Sequence, residues 1–497
     1  MAQFSMPRKL VPIPYSKYKN AVRKLDRESV VLACARLSAQ LEASGLPPSG
    51  TRPFNQWSLA DIARVSLAYG GPQREMATDA AIAMLCQLHL SIDDPITRGD
   101  SAGGAGAILR IASEQFGWQV EVLPAFARTL LLFSEAAPWP ADKSPTVMKD
   151  GWFERLLEVD LETYVAGVFI AFTAAGSNEG RFDLGWLDDE AFDRVREAFS
   201  SEQLRSVFDE HLSVDSAAFK NMNRDAERRT RPDLVKHSFN PLREKPFITD
   251  VGMAPLAPNV RAIVDKISPL SIFYRAIPEL GNGFATDLGH VFEAYVGTQL
   301  RLLGDDRVIP EVTYHKGKNQ LHSIDWFVQI GAYQLLIECK STRPDERVRL
   351  GEPSYIESLQ RQIGKGISQI NETRAKFSSI VQEEPRLQGQ LQQVGVVITL
   401  EDHFAASAPW IQEQLTPADL PVAIVSVREL EQLVTLGAES LETLVRESLA
   451  RMVVNNVLQL WVGDSAESPT PNPIITSAFD SSALMQLVDG YAESAES

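Results

Sequence analysis

Apolar and polar positions alternate most regularly between Ser323 and Ser341. Ile324, Trp326, Val328 and Ile330 are interleaved with Asp325, Phe327 and Gln329; Gly331-Ala332 breaks the run, and Tyr333 to Cys339 resumes it with apolar residues. Alternation bounded by a glycine turn predicts a β-hairpin. On either side the spacing becomes helical. Leu288, Val291, Phe292, Tyr295, Val296 and Leu300 give a broad apolar face to a predicted helix over 285–303. A strand is predicted over 307–314 and a turn over 316–319. After Pro353, the residues Ile356, Leu359, Ile363, Ile367 and Ile370 mark a long helix over 354–381. The unbroken apolar run Val394 to Leu400 predicts a buried parallel strand, 421–427 one more, and helices follow from 429 and over 440–460.

Upstream, helical spacing recurs over 21–44, from Ser58, and over 78–90, 105–116, 125–135, 152–174, 188–199 and 202–212, with 120–123 the one short strand candidate. The pattern divides the chain into an α-helical domain (1–221), a basic, proline-containing linker and approach segment (222–280), an α/β domain (281–463) and an acidic Ser/Pro-rich tail (464–497) with a short helix near 483–488. The fold class is α/β with a large N-terminal all-α domain.

Register gives the hairpin its chemistry. With the turn centred on Gly331-Ala332, Ile330 faces Tyr333, and counting outward puts Asp325 opposite Glu338. Cross-strand partners share a face with Cβ atoms roughly 4.5–5.5 Å apart. Lys340, two residues beyond Glu338, lies on that face too. Two adjacent carboxylates repel unless neutralised, and a hard divalent cation with oxygen ligands does this well.

The set Asp325, Glu338 and Lys340, with Cys339 as the spacer, resembles the PD-(D/E)xK nuclease superfamily of restriction-endonuclease-like fold. The resemblance covers roughly residues 284–400, and Ile324 stands where the family has a proline. It implies an αβββαβ core and hydrolysis of DNA phosphodiesters, in a restriction or phage-defence setting. It further implies Mg²⁺, or Mn²⁺, held by Asp325, Glu338 and the backbone carbonyl of Cys339. The family's helix before the first strand often adds a glutamate, and Glu293 matches that position. Solvation at the edge of the apolar stripe is the other reading of Glu293. Lys340 would act in catalysis, and Lys365 and Gln369 would contact nucleic acid. The same residues allow two other readings: a non-cleaving nucleic-acid-binding or scaffolding module, and an ordinary salt-bridge cluster on an unrelated α/β domain.

Composition narrows the rest. With 48 Lys+Arg against 65 Asp+Glu the net charge is −17, so any contact with phosphates must come from a local basic surface. Lys220 to Lys245 is such a segment; it reads either as an arm tracking a nucleic-acid backbone or as a solvated linker. The three cysteines are scattered, and neither CxxC nor HExxH occurs, which argues against a disulfide framework and a structural zinc site. Gly103-Gly104-Ala105-Gly106 lacks dinucleotide-loop spacing, and Gly364-Lys365-Gly366 lacks the first glycine of a phosphate loop. No leader pattern or bilayer-length apolar run occurs, so a cytoplasmic protein is expected, free of membrane. A protein partner through the helical domain and a homodimer both stay open.

Overall fold

A computed structural model describes residues 11–44, 54–72, 75–94, 103–118, 121–316, 318–352, 354–403, 406, 408–452 and 456–486. The architecture is mixed α/β around a six-stranded sheet. Its spatial order is Val457–Leu458, Val422–Ser426, Gln392–Thr399, Tyr333–Lys340, Trp326–Ile330 and Val308–Pro310. The first four strands are parallel and the last two antiparallel. The hairpin has the expected register, from Ile330 opposite Tyr333 to Trp326 opposite Ile337.

Period-two alternation sorts the sheet's side chains into two cores. Trp326, Val328, Leu335, Ile337, Val396 and Ile398 face the helix Pro269–Leu300 and the N-terminal helices. Phe327, Leu336 and Val397 face the other way, onto Leu359, Ile363, Ile367 and Ile370. The first core continues without interruption into the helices Val122–Phe133 and Leu161–Ser177. A separate core joins the first four helices.

Several elements differ from the sequence pattern. The strand expected over 307–314 is cut after Pro310; Thr313–Lys316 instead pairs with Asn319–His322 in a ladder outside the main sheet. The long helix over 354–381 becomes Tyr355–Leu359, a π-turn at Gln360–Gly364, Lys365–Ala375 and Phe377–Glu383. The helix expected from 285 begins at Pro269 and bends at Gly281, whose φ of 62° and ψ of −154° only glycine adopts readily. The helix expected over 21–44 is interrupted, and Asp26 caps its second part, Arg27–Ala43. Asn55 rather than Ser58 caps the next helix. Val122 and Leu123 open a helix rather than forming a strand, while Val120 lies outside the described residues.

The basic segment is not an extended arm. It comprises the helix Ser216–Arg229 and two 3₁₀ turns, with Leu234 and Leu242 fully buried. Ser213–Val214 pairs with Phe247–Ile248 in a two-stranded sheet beside it. The tail is also structured where it is described: the helix Pro473–Asp480 docks on Val122–Phe133, and the Phe479 ring meets Phe126 edge-on at 5.5 Å. Pro353 and residues 487–497 lie outside the described residues.

Candidate metal centre at the strand ends

The site forms where three neighbouring strands end. Continuing the two ladders by one residue aligns Glu311, Asp325 and Glu338 across the sheet. Asp325 Oδ2 accepts the Cys339 N–H at 2.6 Å, which locks the aspartate to the second hairpin strand. Glu338 is 2 % exposed. Its Oε1 takes a 2.5 Å bond from Lys340 Nζ, and its buried Oε2 has no hydrogen-bond partner.

Glu293 reaches this edge from the kinked helix. Gly297 allows that helix to lie against the sheet: a methyl group there would sit 2.2 Å from the Trp326 ring. The same tryptophan donates its indole N–H to the Glu293 carbonyl at 3.1 Å. One turn and a half upstream, buried Asp287 accepts N–H groups from Thr146, Val147 and Met148 at 2.7–3.0 Å. Burial alone would raise the Asp287 carboxyl, but these donors hold it below the usual range. They also anchor the loop that brings Asp142 and Lys143 within electrostatic reach of Glu293.

The electrostatics are those of a buried carboxylate cluster with fewer cations than acids. Burial first, then the charges of Asp325 and Glu311, push Glu293 up to about 8. Glu338 is raised by burial, then by Asp325 and Glu293, against the pull of Lys340. Asp325 is raised by burial although the Cys339 N–H and Lys340 oppose it.

No family model, curated protein or solved structure matches this chain. The site therefore has to be read from its own geometry.

That geometry gathers Glu293, Asp325, Glu338, Cys339, Lys340 and Gln369. Lys340 Nζ also donates to Gln369 Oε1 at 2.7 Å, so Gln369 holds the lysine in place. Lys365 is exposed at the start of the same helix and is not drawn into this network. Cys339 packs its side chain against the core. Among the described residues no three His, Cys, Asp or Glu side chains form a ready-made metal cage. A Mg²⁺ ion needs less, since one or two carboxylates with water and substrate phosphate complete its shell. Asp325 and Glu338 fit that requirement: they are adjacent, crowded by like charge, and leave one buried oxygen unsatisfied. Sequence reasoning missed Glu311 and Lys143. The first was hidden inside an overlong predicted strand, and the second comes from a loop far upstream with no local signal.

Proposed function

We propose that this chain is a metal-dependent nuclease that hydrolyses phosphodiester bonds of DNA, on a restriction-endonuclease-like αβββαβ core. The observation that carries the reading is the buried Glu338, whose Oε2 lacks a partner while Asp325 and Glu293 crowd it with like charge. An isolated buried carboxylate is costly unless paired or metal-bound. The helix Pro269–Leu300, the strands Val308–Pro310, Trp326–Ile330 and Tyr333–Lys340, the helix Lys365–Ala375 and the strand Gln392–Thr399 occur in that order, with the strands Thr313–Lys316 and Asn319–His322 and short helices inserted between them, and this order supports the reading.

Asp325 and Glu338, with the Cys339 carbonyl and Glu293, would hold one or two Mg²⁺ or Mn²⁺ ions. Such an ion, when bound, polarises the scissile phosphate and acidifies a water. Lys340 is held by Glu338 and Gln369 with its ammonium at the carboxylate edge. It would orient the attacking water and offset negative charge developing on the phosphate. Held by these two bonds, its ammonium is fixed in place, and electrostatic positioning suits Lys340 better than proton abstraction. A restriction or phage-defence role belongs to this proposal by family resemblance.

The test is cleavage of supercoiled, linear duplex and single-stranded DNA by wild type and Glu338→Ala, with Mg²⁺, Mn²⁺ or EDTA. Metal-dependent cutting by wild type alone supports the proposal. If neither protein cuts, calorimetry with Mg²⁺ decides between readings: metal taken up by wild type alone keeps the site, and no uptake overturns it.

A further inference from the structure

Away from the carboxylates, a cavity of about 690 Å³ opens between the helical half and the kinked helix. Its volume is typical of small-molecule sites, roughly 300–1,000 Å³. Six cationic side chains line it: Arg229, Arg243 and Arg349, and three from separate elements that matter most here, Lys245 after the 3₁₀ turn Pro241–Arg243, Lys266 in the turn Asp265–Ile267, and Arg275 on the kinked helix. Lys245 Nζ donates to the Glu210 carbonyl, and Lys266 Nζ to the Glu244 carbonyl at 2.9 Å. Among the described residues, none of the three has a carboxylate within ion-pair distance. Arg243 in the same cavity is different, since Asp265 neutralises it at 2.5 Å.

The three charges also feel one another. Burial brings Lys266 down to about 8, and the nearby Lys245 and Arg275 push the same way against the opposing charges of Glu244 and Asp265. His211 and His237 line the cavity too, but burial holds both near 4, so they are neutral at pH 7. The acids on the rim, Glu210, Asp225, Glu244, Glu279 and Glu346, are solvent-exposed. Beside the cations stand two partly accessible aromatic rings, Phe239 at 37 % and Tyr274 at 46 % exposure, the latter with the Arg343 guanidinium 5.2 Å from its ring centre.

We propose that this cavity binds a nucleotide, with Lys245, Lys266 and Arg275 taking its phosphates and Tyr274 and Phe239 flanking its base. Clustered cations without carboxylate partners match a group carrying two or more negative charges. Exposed aromatic faces match a planar heterocycle, because every base offers a π-surface for stacking. The site is separate from the carboxylate edge, and the proposal stands whether or not that edge cuts DNA.

Calorimetry and thermal shift with ADP and with inorganic pyrophosphate, on the full chain in EDTA and at fixed salt, test it. ADP should bind, and its Kd should rise at least ~10-fold in Lys266→Gln and in Arg275→Gln, whose exposed side chain makes the fold safe to alter. Tyr274→Ala should weaken ADP by a few-fold and leave the weaker pyrophosphate binding unchanged. Lys340→Ala should leave ADP binding unchanged. Failure of 1 mM ADP to bind would overturn the proposal. So would affinity indifferent to both cation substitutions, or binding lost in Lys340→Ala instead. Pyrophosphate binding as tight as ADP, with Tyr274→Ala silent, would overturn the assignment of a base.

Discussion

Glu431 and Glu338 are both buried against the same sheet, and their surroundings are opposite. Glu431, 4 % exposed, accepts from Arg128 Nε and Nη2 at 2.7 and 2.6 Å and from the Tyr295 hydroxyl at 2.6 Å. Its carbonyl accepts the Asn472 amide, which also bonds Gln299. Glu338 shares one lysine, faces two more carboxylates and leaves an oxygen without a partner. Both regions use one helix: Tyr295 serves the balanced network, and Glu293, two residues before it, serves the unbalanced one. Where every charge is matched, the group ties elements together and asks nothing of solvent. Where like charges accumulate under burial, the fold carries a deficit that a cation removes.

Substitutions can break this contrast. The largest effect on stability belongs to Glu431→Ala, which strands the buried Arg128 guanidinium. A loss of about 3–5 kcal/mol is expected in denaturant unfolding. A loss below 1 kcal/mol would remove the distinction between the two sites. Glu338→Gln should do the reverse: the proposed DNA cleavage falls by ~10²–10³-fold while the metal-free melting temperature holds or rises. A large drop in melting temperature would make Glu338 a structural residue like Glu431.

Gly297→Ala comes next. The added methyl must displace the Trp326 ring, at a cost of roughly 1–3 kcal/mol, and shift Glu293 with it. Weaker Mg²⁺ binding by calorimetry should accompany the loss; unchanged metal affinity would detach Glu293 from the site.

The last test is one of pH. Glu293, Asp325 and Glu338 all titrate higher in the folded chain, Glu293 at about 8 against an ordinary 4.5. The stability this brings is complete below the ordinary carboxylate values and is lost as pH rises through the folded ones. In EDTA the melting temperature should therefore decline between pH 5 and about 8. Mg²⁺ should flatten that decline, so its stabilising shift grows with pH. A magnesium effect equal at both ends of the range would contradict the cluster's role.

The contrast also shows what sequence can carry. Asp325 and Glu338 were legible because a hairpin's period of two and its glycine turn set every pairing between them, and the observed register has the same phase. Glu293 was legible as a carboxylate on an apolar stripe. Arg128 and Glu431 were not, because 303 residues separate them and nothing local to either marks the other. The break in the helix after Tyr355 depends on a π-turn that apolar spacing does not encode. Ser/Pro-rich composition hid the helix Pro473–Asp480, although Ile475 is buried and Phe479 packs on the core.

That helix has a temporal consequence. It rests on Val122–Phe133, a segment made more than three hundred residues earlier. During synthesis the apolar face of Val122–Phe133 stays incompletely covered until residues 473–480 have left the ribosome. A chain halted before that point would leave the surface around Phe126 without the Phe479 ring that packs on it.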